Sequence, residues 1–183
     1  ANKKIVLYAP TYRGRLGSSD ITKEWSSFEN YDIEIEGLLC SLKKKFDSDF
    51  VFVYRFHHNI LKYEQCNNFF DNAINATNYS DTQELLVAAD VLITDYSSIM
   101  WDFSLQIKPV YLYQKDAEEY DSEYGFYCPM NEWPYPRAHT NEELCKIVED
   151  FDNDKYIADL NKFIETYKSF DDGHASEKVV LRI

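Results

Sequence analysis

Val91-Leu92-Ile93-Thr94-Asp95-Tyr96-Ser97-Ser98 is the stretch on which the fold turns. A strand-like run of four residues passes into a short polar turn, and the turn opens a helical pattern from Ser98 to Gln106. Upstream, Asp81 precedes a helix over Thr82 to Ala89, with Glu84 placed to complete a capping box. Downstream, Pro109 to Tyr113 is a further apolar run. Strands and helices alternating over short links are the pattern of right-handed crossovers, and strands buried on both faces read as near-continuous apolar runs.

Working outward, Ile5 to Ala9 is a buried-type strand stopped by Pro10, and Phe50 to Phe56 is another. Phe70 to Ala76 is a weaker one. Between the first two lie a long polar loop, Thr11 to Ser27, and a helix from Glu34 to Phe46. That helix puts Ile35, Leu38, Leu39, Leu42 and Phe46 on one face and Lys43, Lys44 and Lys45 in its last turn, where cations suit the dipole. Asn59 to Cys66 reads as helical or irregular. After Lys115 the chain is acidic and aromatic from Asp116 to Trp133, then irregular past Pro134 and Pro136. Helices follow from Thr140 to about Phe151, from Asp154 to Phe170 and from Ser176 to Ile183. The fold class is α/β: a Rossmann-like parallel sheet with helices on both faces.

A chain of 183 residues suits one domain. Thirty-two acidic against 19 basic residues give a net charge of −13, which argues against broad contact with nucleic acid or an anionic bilayer. One nucleotide in a local pocket is still allowed. Cys40, Cys66, Cys128 and Cys145 are scattered with no CxxC, so neither metal-ligand spacing nor a disulfide framework is present. No signal peptide, membrane-spanning run or lipidation motif is visible. The chain has no initiator Met and opens almost at once into a strand, as expected of a piece of a longer protein. GxGxxG, P-loop and GxSxG motifs are all missing.

Four places could carry chemistry. At Asp95-Tyr96-Ser97-Ser98 a strand feeds a helix start, where unpaired N–H groups attract phosphate and the two hydroxyls add donors. A plain N-cap at Ser97 fits the same residues equally well. Asp95 would repel phosphate, so it either orients the loop or binds a ligand hydroxyl. Arg55-Phe56-His57-His58 follows the second strand and brings a fixed cation and two imidazoles to the same sheet edge. Adjacent histidines seldom share one metal ion; a His donating to phosphate suits the run better, and a plain loop histidine fits it equally well. Arg13 follows the first strand and could grip a phosphate bidentately. Asp172-Gly173-His174-Ala175-Ser176 joins two helices, with Gly173 suited to a left-handed cap and Ser176 to an N-cap. The tyrosines from Tyr111 to Tyr135 read as packing rather than a ligand box.

Several runs, in order, resemble the C-terminal domain of the CDP-glycerol glycerophosphotransferases, the teichoic acid polymerases and primases. They are Leu7-Tyr8-Ala9-Pro10-Thr11-Tyr12-Arg13, Arg55-Phe56-His57, Asp81 through Ser98, Asp102-Phe103 and Lys108-Pro109-Val110. Glu119-Tyr120, Gly125-Phe126-Tyr127, Asp172-Gly173 and Ala175 through Val180 extend the match. The resemblance implies the C-terminal half of a two-domain GT-B enzyme, with residues 1–183 as the donor-nucleotide domain and an N-terminal acceptor domain elsewhere. It implies transfer of glycerol phosphate from CDP-glycerol, or a similar polyol phosphate, to a membrane-anchored polymer at the inner face of the cell membrane, with no cofactor or bound metal. By that analogy His57 is catalytic, and Arg13, Arg55, Ser97 and Ser98 meet the donor diphosphate. Asp95, Tyr96, Asp172, Gly173 and Ser176 would lie at the nucleotide or the cleft. The family usually has Pro where His58 stands, which alters the loop at His57. Two alternatives are a nucleotide-sugar glycosyltransferase on the same scaffold and a non-catalytic nucleotide-binding module.

Overall fold

A computed structural model describes residues 3–12, 31–58, 69–168 and 172–183. Six strands form one sheet: β1 Lys4–Tyr8, β2 Phe50–Tyr54, β3 Ile74–Asn75, β4 Val91–Thr94, β5 Val110–Tyr113 and β6 Arg137–Ala138. Their order is β3-β2-β1-β4-β5-β6, and every pairing is parallel. The chain steps one way from β1 to β3, crosses back, and then steps the other way from β4 to β6. Right-handed crossovers therefore place the helix between β1 and β2 on one face and the helices that follow β3 and β4 on the other.

The helices follow that rule. α1 (Ile35–Phe46) links β1 to β2, α2 (Thr82–Ala88) links β3 to β4, and α3 (Ile99–Ser104) links β4 to β5. α4 (Ala117–Tyr124) and a 3₁₀ turn at Met130–Glu132 precede β6, and α5 (Asn141–Glu149), α6 (Asn153–Tyr167) and α7 (Ala175–Val180) complete the chain. α1 packs on β2 and on α5, which returns across β5 and β6; α2 and α3 pack together, with α3 against β4 and β5. The central strands β4 and β5 are buried along their whole length, as their unbroken apolar sequence requires. On α1, Leu38 and Leu42 enter the core, while Lys44 reaches Glu149 of α5 and Lys43 pairs with Asp49. Those lysines tie the helix to its neighbours as well as suiting its dipole.

Several boundaries and two elements differ from the sequence reading. The strand expected from Phe70 to Ala76 shortens to Ile74–Asn75, because Phe69 and Phe70 turn in against Tyr54 and Phe56 instead. α4 lies in the acidic, aromatic stretch from Asp116 to Trp133, where the sequence suggests no element: it has no apolar stripe, and it is held by Tyr120 stacked on Tyr96 at 4.0 Å. β6 follows Pro136 and is only two residues long, too short to show any period. Asp81 does cap α2, accepting from the N–H groups of Gln83 and Glu84, but the Glu84 carboxylate accepts from the Tyr79 hydroxyl rather than closing a capping box. The N-cap of α7 is His174, with Ser176 inside the first turn, so the cap expected at Ser176 is corrected. The readings for Thr11 to Ser27 and Asn59 to Cys66 fall almost entirely outside the described residues.

Candidate functional site

Parallel strands deliver their following loops to one edge, and an open sheet leaves a crevice where neighbouring strands lead their chains in opposite directions. Here that point lies between β1 and β4. A polar network fastens the edge. Thr94 Oγ1 donates to the Ala9 carbonyl at 2.7 Å, and Asp95 Oδ1 accepts from Thr11 N at 2.8 Å, Thr11 Oγ1 at 2.7 Å and Tyr96 N at 2.6 Å. Gln114 Nε2 donates to the Asp95 carbonyl, and His139 Nδ1 meets the Gln114 carbonyl. Thr94, Asp95 and Gln114 are all buried, so the network lies beneath the surface and holds the loops above it. Of the two uses open to Asp95, orienting the loop is the one these bonds serve.

Above the network opens a cleft of about 510 Å³. Thr11 and Tyr12 line it from the end of β1, and Arg55, His57 and His58 from the end of β2. Thr82 of α2 and Ser97 and Ile99 at the start of α3 close the far side. The ring of His57 stacks on Tyr12 at 5.4 Å and lies 4.2 Å from that of His58, centroid to centroid. Partial burial, the neighbouring His58 and then Arg55 all hold the His57 imidazole below its ordinary pKa. Arg55 Nη1 donates to the Ala76 and Tyr79 carbonyls at 3.0 and 2.7 Å, and Thr77 Oγ1 accepts from Phe56 N. Arg55 thus fastens the chain after β3 while lining the cleft, a task the sequence did not reveal. A guanidinium has five N–H donors, so two carbonyls on one nitrogen do not exhaust it.

The other expected residues separate. Ser97 lines the cleft, whereas Ser98 is the exposed N-cap of α3, with no side chain capping that helix. The helix start is tight, with Met100 N and Trp101 N donating to the Ser97 and Ser98 carbonyls. Tyr96 turns away beneath α4, its hydroxyl donating to Asp116 at 3.0 Å, and does not line the cleft. Asp172, Gly173 and Ser176 are exposed and lie outside the cleft lining. Gly173 has φ +79°, the left-handed geometry expected of it, and Asp172 accepts from His174 N and pairs with Lys178. Arg13 lies outside the described residues. Tyr12, Thr11 and Thr82 were not singled out as site residues; only the pairing of β1 with β2 and β4 brings them in.

A larger cavity, about 690 Å³, lies between Trp133–Pro136 and α6. It holds none of the expected site residues and mixes Glu132, Asp150, Asp152 and Asp159 with Lys155 and Lys162. Volume alone would favour it, but the smaller cleft has the strand ends and the converging donors. Among the described residues no helix is long and apolar enough to cross a membrane.

Comparison with known proteins identifies the family. The family model for CDP-glycerol:poly(glycerophosphate) glycerophosphotransferase matches residues 1–183. The chain is 31% identical over 183 residues to a teichoic acid poly(glycerol phosphate) polymerase of Staphylococcus epidermidis, covering 98% of this chain and 24% of that protein. It is 29% identical to a teichoic acid glycerol-phosphate transferase of Staphylococcus aureus, covering 100% of this chain and 45% of the relative. It therefore spans between about a quarter and a half of the length of these relatives. A solved structure of the wall teichoic acid polymerase TagF, a histidine-to-asparagine variant soaked with CDPG, superposes with a TM-score of 0.70 at 29% identity, covering 98% of this chain and 41% of that one. The sheet order, the cleft at its reversal point and the match along the whole sequence lead to one assignment: the chain belongs to the CDP-glycerol:poly(glycerophosphate) glycerophosphotransferase family.

Proposed function

We propose that this chain is the donor-nucleotide half of a glycerophosphotransferase of GT-B architecture, and that it holds the diphosphate of CDP-glycerol in the cleft between β1, β2 and β4. The observation that carries the reading is one of charge. In a protein of net charge −13, the described residues lining this cleft include Arg55, His57, His58, Thr11, Thr82 and Ser97 and not one carboxylate. Such a site suits an anion rich in acceptor oxygens, and hydrogen bonds to a charged partner are the strong ones.

In the reaction, an acceptor hydroxyl attacks the β-phosphorus of CDP-glycerol. The bond from that phosphorus to the bridging oxygen breaks, and CMP leaves with the electron pair. The hydroxyl proton passes to a base on a separate acceptor domain, which also receives the membrane-anchored polymer at the inner face of the membrane. The part played by this chain is to stabilise charge on the departing phosphate, through His57, the Ser97 hydroxyl, Arg55 and Arg13. Donors fixed in place before the reaction are worth more than mobile water, and removing one typically costs about 3 kcal/mol of transition-state stabilisation.

Titration calorimetry on the chain tests the reading. CDP is expected to bind, at least tenfold more tightly than UDP, which corresponds to about 1.4 kcal/mol. Ser97→Ala is expected to weaken CDP roughly tenfold, the worth of one hydrogen bond to a charged group. No binding of CDP, or a preference for UDP and UDP-sugars, overturns the assignment.

A further inference from the structure

His57 and His58 are consecutive, yet both side chains line the same cleft, with ring centroids 4.2 Å apart at an interplanar angle of 33°. Consecutive residues in extended chain point to opposite sides. Past the end of β2 the chain has left that geometry, and a close ring pair is the result. The Tyr12 ring also stacks on His57, at 5.4 Å, so a phenol and a second imidazole both contact that ring. Two protonated imidazoles at this separation repel one another, and Arg55 adds a fixed positive charge on the same strand end. The remaining groups around the pair are Thr11 from β1, Thr82 from α2 and Ser97 and Ile99 from α3. Among the described lining residues the titratable or charged groups are Tyr12, Arg55 and the two histidines.

In such surroundings the His57 imidazole gives up its proton more readily than an ordinary histidine. An incoming diphosphate reverses the balance, because its negative oxygens favour the charged form of each imidazole they touch. We propose that His57 and His58 receive the donor diphosphate together, and that its binding loads the pair with a proton drawn from solvent. His58 then serves as a second anion-binding residue and sets the protonation of His57, beyond forming part of a loop. The proposal rests on the cleft being the donor site.

The sign follows directly. Binding raises the proton affinity of the pair, so the complex holds more protons than the free protein, and affinity rises as pH falls. The experiment is CDP titration of the chain between pH 6 and pH 8, in buffers of differing ionisation enthalpy, for the wild type, His58→Gln, His57→Gln and the double variant. Cytidine serves as a ligand without phosphate. For the wild type, a net proton uptake is expected, with affinity falling by up to about tenfold per pH unit where one full proton is taken up. His58→Gln is expected to weaken CDP roughly tenfold or more, the range of a charge-assisted hydrogen bond, and to shrink the uptake. Cytidine is expected to bind without uptake. In the ligand-free chain, the His57 ring resonance is expected to titrate at higher pH once His58 is replaced.

CDP binding that is equally tight and equally pH-dependent in the wild type and His58→Gln overturns this proposal and leaves the donor site standing. An unchanged His57 titration in His58→Gln overturns it as well. Failure of the wild type to bind CDP removes the donor site, and this proposal with it.

Discussion

Asp95 organises the strand ends at the scale of the single residue. An acidic side chain beside the proposed phosphate site is at first sight misplaced, since its charge opposes such a ligand. Burial resolves the difficulty: Asp95 is 2% exposed, and one of its oxygens takes three donors, two from Thr11 and one from Tyr96. It thereby fixes the β1 loop, and with it Tyr12, against the end of β4. Asp95→Ala leaves those donors unpaired, and hydrogen bonds to a charged group are each worth about 1.5–3 kcal/mol. The expected loss is roughly 3 kcal/mol of unfolding free energy in urea, together with weaker CDP binding because Tyr12 no longer holds His57. A stability change below about 1 kcal/mol would show the Thr11 contact to be incidental.

At the scale of elements, the edge is built from helix starts and strand ends whose local chemistry is simple. α2 begins where Asp81 accepts from two backbone N–H groups, and its first residue, Thr82, faces the cleft. Arg55 binds the Ala76 and Tyr79 carbonyls just ahead of it, so β2, the chain after β3 and α2 form one assembly. Asp81→Ala is expected to cost about 1 kcal/mol, the usual worth of such a cap, with the amide exchange of α2 rising before that of β4. Equal protection of α2 in variant and wild type would show that packing of Leu86, not the cap, holds the helix start. The sequence revealed Asp81 because capping is local. It hid α4 and β6, since Tyr120 stacking on Tyr96 and the Leu112–Arg137 and Tyr113–Ala138 pairings are distant in the chain and leave no periodic trace.

For the whole molecule the contrast is between a strongly acidic chain and a cleft whose described lining residues include no carboxylate. Anything that binds only the native state stabilises it by RT ln(1 + [L]/Kd), so a nucleotide in this cleft resists unfolding of the entire domain. At a CDP concentration one hundred times its Kd the expected gain is about 2.7 kcal/mol. A domain of this size then melts roughly 5–10 °C higher. Scanning fluorimetry with and without CDP measures the shift, and magnesium is expected to add nothing to it. An unchanged melting temperature at saturating CDP would mean that the cleft is no nucleotide site.

How much was legible beforehand divides along a physical line. Val91 to Ser98, Asp81 with its helix, and the apolar runs at Ile5, Phe50 and Val110 declare themselves because burial of a parallel strand and capping of a helix depend on neighbours in sequence. They determined a parallel α/β sheet and named His57, Arg55 and Ser97 as residues at its strand ends. The order β3-β2-β1-β4-β5-β6 was decided only in three dimensions, because pairing between distant strands has no local signature. That order brings Tyr12 to His57 and leaves Asp172 to Ser176 outside, while the path of the chain past β2 and β4 sets the His58 ring against His57, puts Ser97 but not Ser98 in the cleft and turns Tyr96 under α4. Residue types able to bind phosphate are written in the chain; which of them share one cleft is a property of the register of β1 on β2 and β4.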